Sequence, residues 1–344
     1  MASVVDLFCG IGGLTHGFVK EGFRVVAGMD ADPTCRYAYE TNNGARFMLR
    51  DVFHVTPEEI PGLFPDGDVK VLVGCAPCQP FSRYANRSKE DSKWRLVGVF
   101  ARLIEAVRPD VVSMENVPEM ARHAVFGTFL GMLQNARYRF AWSIVNCPDY
   151  GVPQTRHRLV LFASKLGDIS IVSRTHPPRR HRTVRQAIGR LEPIRAGYSS
   201  GKDPLHRASA LSPLNLKRIA ATPHGGGWRD WPEELVLECH KADTGKSYPS
   251  VYGRMSWDLP GPTITTQCNG LGNGRFGHPE QDRALSLREA ALLQTFPMYY
   301  RFHERDSPLP TKTLARHIGN AVPVRLGRII ARSIRRHLEA HHAW

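Results

Sequence analysis

The stretch from Val4 to Gly22 restricts the fold more than any other. Val4-Val5-Asp6-Leu7-Phe8 is a short apolar run that reads as a buried strand. Cys9-Gly10-Ile11-Gly12-Gly13 follows as a glycine-rich turn. Leu14 and Phe18 then lie one helical turn apart, and Gly22 closes the helix. Strand, glycine turn and helix together let backbone approach a nucleotide-like ligand in α/β folds. The spacing is not Gly-x-Gly-x-x-Gly, which disfavours a nicotinamide dinucleotide. The chain therefore reads as α/β.

A second strand, Arg24 to Met29, ends in Asp30. A carboxylate there commonly grips ribose hydroxyls, although it could equally cap the helix from Ala31 to Tyr39, a role for which Asp32 competes. Asp51 stands at the end of a third strand, Phe47 to Arg50, where it could cap a turn or accept from an adenine amino group. Glycine turn, Asp30 and Asp51 together describe an adenosine site better than any one of them does.

Val69 to Val73 is another buried strand, broken at Gly74 and Pro77. Cys78 then sits where strand meets loop, between Pro77 and Pro80, a natural place for a nucleophile. Cys75 and Cys78 could also be a redox pair or half of a zinc site, but the other five cysteines stand alone and offer no second pair. The polar segment Arg83 to Arg95 reads as a loop beside the cysteine. Val97, Ala101, Ile104 and Val107 trace a helix face that Pro109 stops. Val111-Val112-Ser113-Met114 is a strand ending in Glu115-Asn116. Glu115 could be a plain loop carboxylate or, beside a cysteine nucleophile, a proton donor. A helix around Thr128 to Asn135 and a strand from Phe140 to Asn146 follow. Arg156 and Arg158 precede the strand Leu159 to Phe162. Two apart, they would point the same way in an extended chain, as pocket groups or as surface charges.

Length allows one large domain and a smaller one. Lysine and arginine number 46 against 32 acidic residues, a formal net charge of +14. That excess suits a polyanion such as nucleic acid, and a solvated basic surface would give it too. No apolar run reaches membrane-spanning length, and Met1-Ala2-Ser3-Val4-Val5 does not read as a signal peptide. The seven cysteines form no disulfide framework, which fits a reducing cytoplasm. No metal site is expected.

The ordered set of motifs resembles the bacterial-type cytosine-5 DNA methyltransferases over almost the whole chain. Asp6 to Gly13 is similar to the methyl-donor loop, Pro77-Cys78-Gln79 to the nucleophile motif and Glu115-Asn116-Val117 to the acid motif. Gln154-Thr155-Arg156-His157-Arg158 is similar to the family's Gln-x-Arg-x-Arg. Gly261 to Thr265, Arg288 to Pro297 and Ile318 to Pro323 match its later motifs. Two departures stand out: Cys9 where alanine is commoner, and Asp30 where glutamate is usual and reaches farther.

The resemblance implies a Rossmann-like, S-adenosylmethionine-dependent domain with a smaller, irregular target-recognition domain. It implies DNA (cytosine-5-) methyl transfer through a Cys78 adduct at carbon 6 of a flipped-out cytosine. Glu115 would stand at ring nitrogen 3 and Arg158 at the carbonyl oxygen, with Arg156 beside it. Phe8, Gly10, Gly12, Gly13, Asp30, Asp51, Val52, Pro77, Leu96 and Asn320 would form the donor pocket. The segment from Ser82 to Arg95 would close as a lid, with Ser82 and Tyr84 on DNA. The expected catalytic domain is 1–175 with 312–344, and 176–311 the target-recognition domain and hinge.

That middle region is rich in Gly, Pro, His and Trp. Arg229, Lys241 and Arg254 are its candidate DNA contacts, with Asp230, His240 and Lys246 beside them. Ser286 and Glu289 form a capping box, and Ile330, Ile334 and Leu338 stripe a last helix starting near Pro323. The expected partner is duplex DNA, with a restriction endonuclease acting on the same site without contact. The expected state is a cytoplasmic monomer on nucleoid DNA. An RNA (transfer-RNA) cytosine-5 methyltransferase and a non-catalytic DNA-binding protein on the same scaffold are the alternatives.

Overall fold

Seven short apolar runs become the strands of one sheet: β1 (Ala2–Leu7), β2 (Arg24–Asp30), β3 (Arg46–Leu49), β4 (Val69–Gly74), β5 (Val111–Asn116), β6 (Arg139–Asn146) and β7 (His157–Ser164). The computed structural model describes residues 1–56, 58–76, 90–242, 248–305 and 307–344, with only the main chain of residues 90–94. The strand order is β3-β2-β1-β4-β5-β7-β6. The first five strands are parallel, while β7 runs antiparallel to both β5 and β6. β1 and β5 are buried along their whole lengths, as expected of strands covered on both faces.

Helices α1 (Gly13–Lys20), α2 (Arg36–Asn43), α3 (Glu90–Val107) and α4 (Ala124–Asn135) alternate with the strands. The segment expected as a loop through Arg95 turns helical at Glu90. A polar stretch is compatible with a helix that is wet on one side, so polarity alone did not exclude it. Val5, Leu7, Leu72, Val112 and Met114 pack with Phe100, Leu103 and Phe129 of α3 and α4 in one core. On the opposite face Gly28 lets Tyr39 come close, since a Cβ there would lie 2.3 Å from the tyrosine oxygen.

Helices α5 (Val184–Ile188), α6 (Pro213–Ala220), α7 (Glu238–Lys241), α8 (Leu287–Leu293) and α9 (Thr311–Asn320) follow, then α10 (Val324–Ala340). The chain forms two units. The first is Met1–Asn146, His157–Arg174 and Val322–Trp344; the second is Cys147–Arg156 and Thr175–Ala321. Compared with the boundaries expected from sequence, Cys147–Arg156 and residues 312–321 go with the second unit.

In the first unit α10 crosses α1 at Gly17 and Gly327, where a Cβ on Gly17 would lie 2.4 Å from backbone. Glu21, at the end of α1, binds Arg328 at 2.9 Å and Arg332 at 3.0 Å. Burial pushes its carboxyl up, but these arginines hold it below its ordinary range. The second unit holds no named strand among the described residues and is tied by side chains. Ser286 and Glu289 do form the capping box of α8, and Arg283 forks onto Glu289 with two bonds of 2.7 Å. No helix among the described residues is long and apolar enough to cross a membrane.

Candidate active site

The carboxyl ends of β1, β2, β4 and β5 lie along one edge of the sheet, and β7, running the other way, begins there. That edge is where open α/β sheets bind ligands. Parallel pairing places Gly74 beside Met114, so Cys75 and Glu115 come next on neighbouring strands. The Cys75 thiol donates to Glu115 Oε2 at 2.6 Å. Glu115 faces Val160 across the antiparallel pair, which sets Arg158 on the diagonal of the same face, within reach of a long side chain. Arg158 Nε lies 2.9 Å from Glu115 Oε1. Among the described residues Oε1 has no aligned hydrogen-bond donor. Glu115 is 3% exposed. Asn116 donates its amide to the Ala76 carbonyl at 3.2 Å and accepts from Val117 N at 2.8 Å, fixing the chain just before Pro77.

Cys75 and Asn116 were not singled out from the sequence as site residues. The signal that could have found them is topological: once β4 and β5 are parallel neighbours with Gly74 beside Met114, the residues just past β4 must meet the last residues of β5. Cys78, Pro77, Ser82, Tyr84 and Lys246 lie outside the described residues.

At the end of β1 the chain turns through positive φ at Phe8 (62°), Gly10 (51°) and Gly12 (85°). Asp30 gathers this loop. Its Oδ2 accepts from Gly10 N and its Oδ1 from Asp32 N, both at 2.9 Å. Asp32, not Asp30, caps the following turn, accepting from Thr34 N. Phe8 and Leu96 pack on the core cluster that contains Val52. Asp51 is exposed and caps its own turn, accepting from Phe53 N at 2.9 Å. Beneath the loop, Asp6 accepts from Thr15 Oγ1 at 2.6 Å while its Oδ1 has no hydrogen-bond partner among the described residues. Burial pushes the Asp6 carboxyl up to about 7. Burial, with Asp6 and Asp30 nearby, pushes the Cys9 thiol well up, which disfavours its thiolate.

Two expected site residues are bound inside the second unit. Arg156 lies before β7 begins, so the two-residue alternation shared with Arg158 does not apply to it. It belongs to the second unit, is 4% exposed, and donates Nη1 to the Ile264 carbonyl at 3.2 Å. Gln154 of the same motif accepts from Ile264 N and donates to Leu293 O and Gln294 Oε1. Gln294 in turn holds the carbonyls of Ile318 and Ala321, on either side of Asn320. These motif residues interlock the second unit.

Arg254, expected as a DNA contact, is turned into the fold. It is 4% exposed and donates to the carbonyls of Thr222, Ile219 and Gln281 at 2.7 Å and of His278 at 3.0 Å, with Asp282 as its counter-ion. A buried guanidinium requires such acceptors. Arg254→Met is expected to destabilise the protein by about 3–5 kcal/mol in urea denaturation, because the counter-ion and carbonyls lose their donor. A loss below about 1 kcal/mol together with weakened DNA binding would reinstate the contact. Arg229 and Lys241 are exposed: Arg229 lies 5.5 Å over the Trp228 ring, and Lys241 pairs with Glu238 at 2.8 Å.

A doubly wound sheet with a glycine loop, a ligand-facing edge and a buried Glu–Arg pair defines a Rossmann-like enzyme of the kind that works on nucleotide-like donors. A family model described as C-5 cytosine-specific DNA methylase matches residues 2–336. The chain belongs to that family and is a DNA cytosine-5 methyltransferase. It is 55% identical over 345 residues to the type II methylase M.HgiDII of Herpetosiphon aurantiacus, covering 99% of this chain and 97% of that one. It is 30% identical over 352 residues to the type II methyltransferase M1.BsuMI of Bacillus subtilis, covering 96% and 79%. A crystal structure of an E. coli prophage-encoded protein, described as a DNA modification methyltransferase, superposes with a TM-score of 0.75 at 23% identity. That match covers 98% of this chain and all of the other, and supports the fold alone.

Proposed function

We propose that the chain methylates carbon 5 of a cytosine flipped out of duplex DNA, with Cys78 as covalent nucleophile and S-adenosylmethionine as donor. The observation that carries this reading is the buried Glu115 carboxylate, held by Cys75 and Arg158 at the end of β5, with no aligned donor on Oε1 among the described residues. Such a group can exchange a proton with a ring nitrogen.

The residues at the donor loop fit the donor. A Cβ added at Gly10 would meet nothing within 4 Å among the described residues, and Asp30 at the β2 end holds that loop in shape. Phe8, Gly10, Gly12, Gly13, Asp30, Asp51, Val52, Pro77, Leu96 and Asn320 would hold S-adenosylmethionine, which supplies an electrophilic sulfonium methyl group when bound. The residues of the chain do the rest. The Cys78 thiolate adds to carbon 6, converting the ring to an enamine with a nucleophilic carbon 5. Glu115 holds the proton at nitrogen 3, and Arg158 orients Glu115 and meets the carbonyl oxygen. After methylation a base removes the carbon 5 proton, and Cys78 leaves as thiolate.

The second unit, with Arg229 and Lys241 on its surface, would recognise the target. The first unit would carry out transfer. Both quoted relatives are named type II enzymes. That supports a protective role in restriction–modification; the reading adds to it a cytoplasmic monomer on nucleoid DNA and an endonuclease that cuts the same site unmethylated.

Incubating unmethylated genomic DNA with the protein and S-adenosylmethionine, then mapping 5-methylcytosine at base resolution, tests the reading. Methylation confined to one short sequence is expected. Methylated transfer RNA with unmodified DNA would overturn it.

A further inference from the structure

We propose that the turn carrying Arg179, Arg180 and Arg182 is a preformed clamp for the phosphodiester backbone of the substrate duplex. The inference rests on duplex DNA being the substrate, and adds to it a surface outside the base-reading loops.

Pro177 and Pro178 lead into a 3-10 turn, Pro178–Arg180, closed by Arg180 N to Pro177 O at 2.7 Å. Asp149, 5% exposed, pins the turn from beneath. Its carbonyl accepts from Thr175 N at 3.0 Å and His176 N at 2.9 Å, and its carboxylate meets His181 Nε2 at 2.8 Å. Past the arginines, Thr183 opens α5 with a capping box shared with Gln186. Val184 N is fixed to Leu259 O and Arg185 N to Trp257 O, both at 2.9 Å. The backbone is thus held on both sides of the three cations.

The side chains contrast with this. Arg179, Arg180 and Arg182 are exposed, and among the described residues none has an ion pair, side-chain hydrogen bond or ring contact. Two other arginines that reach the surface do have partners: Arg185 forks onto Asp258, and Arg332 onto Glu21. Asp149 could have neutralised the turn, but its Oδ1 takes His181 instead. Three guanidiniums in four positions therefore repel one another on a rigid support, an arrangement relieved by a polyanion. The guanidinium fork matches phosphate oxygens, and a fixed backbone loses little entropy when it binds. His181 is engaged by Asp149, and a guanidinium can meet guanine as well as phosphate; a clamp positions the duplex without specifying its sequence, so it must act alike on duplexes with and without the target.

The experiment compares the wild type with the triple variants R179A/R180A/R182A and R179K/R180K/R182K. Binding is measured between 50 and 200 mM KCl, on a duplex carrying the mapped target and on one lacking it. The alanine variant is expected to weaken both duplexes alike and to flatten the log K against log salt slope by about 2.7, for three phosphates at about 0.9 each. The wild-type advantage then shrinks by about 40-fold across that salt range. The lysine variant, which keeps the charges, should retain the slope; kcat at saturating DNA and the methylated sequence should be unchanged in both. An unchanged slope in the alanine variant overturns the clamp, as does a loss confined to the target duplex. A wild type that methylates no duplex overturns the function reading itself, and is recognised by the missing 5-methylcytosine before any variant is compared.

Discussion

Replacing Cys78 by alanine is expected to abolish methyl transfer, by about 10⁴-fold or more, the scale on which loss of a covalent nucleophile costs kcat. Carbon 5 of cytosine is too weak a nucleophile to attack a methyl group until something adds at carbon 6, and alanine has nothing to add. Binding of duplex DNA should survive, because the change removes one sulfur and no charge carried on a phosphate-facing arginine. Substrate chemistry sharpens the test. On DNA with fluorine at carbon 5 of the target cytosine, the wild type should remain covalently attached, since the proton whose removal releases the enzyme is missing. Cys78→Ala should leave no adduct. The neighbouring cysteine separates this mechanism from a redox one. Cys75 donates its thiol to Glu115 at 2.6 Å, which places it to act on the acid. Cys75→Ser keeps a donor there and is expected to lower kcat by less than about tenfold, the range in which a neutral hydrogen bond is lengthened and not lost. Loss equal to that of Cys78→Ala would favour the redox pair, and adduct-free turnover by Cys78→Ala would sink the covalent mechanism.

The sequence disclosed those parts of the site that depend on local pattern. β1, its glycine turn and α1 are written in a run of apolar residues, three glycines and a period of four. β4 and β5 are likewise continuous apolar stretches, and their reactive residues sit where such stretches stop. Element ends moved by a few residues: β7 extends from His157 to Ser164 around the expected Leu159 to Phe162, and α4 begins at Ala124. The fate of each arginine was not legible, because a guanidinium carries the same charge whether it faces a phosphate or a carbonyl. Arg254 finds acceptors at Ile219, 35 positions away, and at Gln281, 27 away. Arg156 finds one at Ile264, 108 positions away. No window along the chain contains those partners. Arg158 differs from Arg156 by two positions, yet it sits inside β7, where register with β5 decides its neighbour. The same limit applies to Asp30 and Asp51. Both could cap or bind by sequence; the fold shows Asp30 gathering the glycine loop and leaves turn-capping to Asp32 and Asp51.

Glu115→Gln is expected to lower kcat by about 10²–10⁴-fold, the usual contribution of a positioned acid or base. Glutamine has the same shape and can still accept from Cys75, but it can neither carry a proton to nitrogen 3 nor balance Arg158. The substitution touches no group proposed to bind phosphate, so KM for DNA should move by less than about threefold, giving a kcat effect with little KM change. Arg158→Ala should also depress kcat, because Glu115 then stays buried without its cation 2.9 Å away and loses its orientation. The two changes should not multiply. If Arg158 works through Glu115, the double variant falls little below the worse single one, leaving a coupling energy of about 1–3 kcal/mol in the cycle. A purely structural ion pair gives the opposite pattern. Glu115→Gln would then lower urea stability by about 1–3 kcal/mol, as expected when a part-buried guanidinium loses its carboxylate, while the folded enzyme kept its kcat. Measuring kcat, KM and denaturation on the same three variants distinguishes the outcomes. Independent, multiplying losses would mean that Arg158 meets the cytosine without Glu115, and a Glu115→Gln enzyme with more than about a third of wild-type kcat would remove the acid from the mechanism.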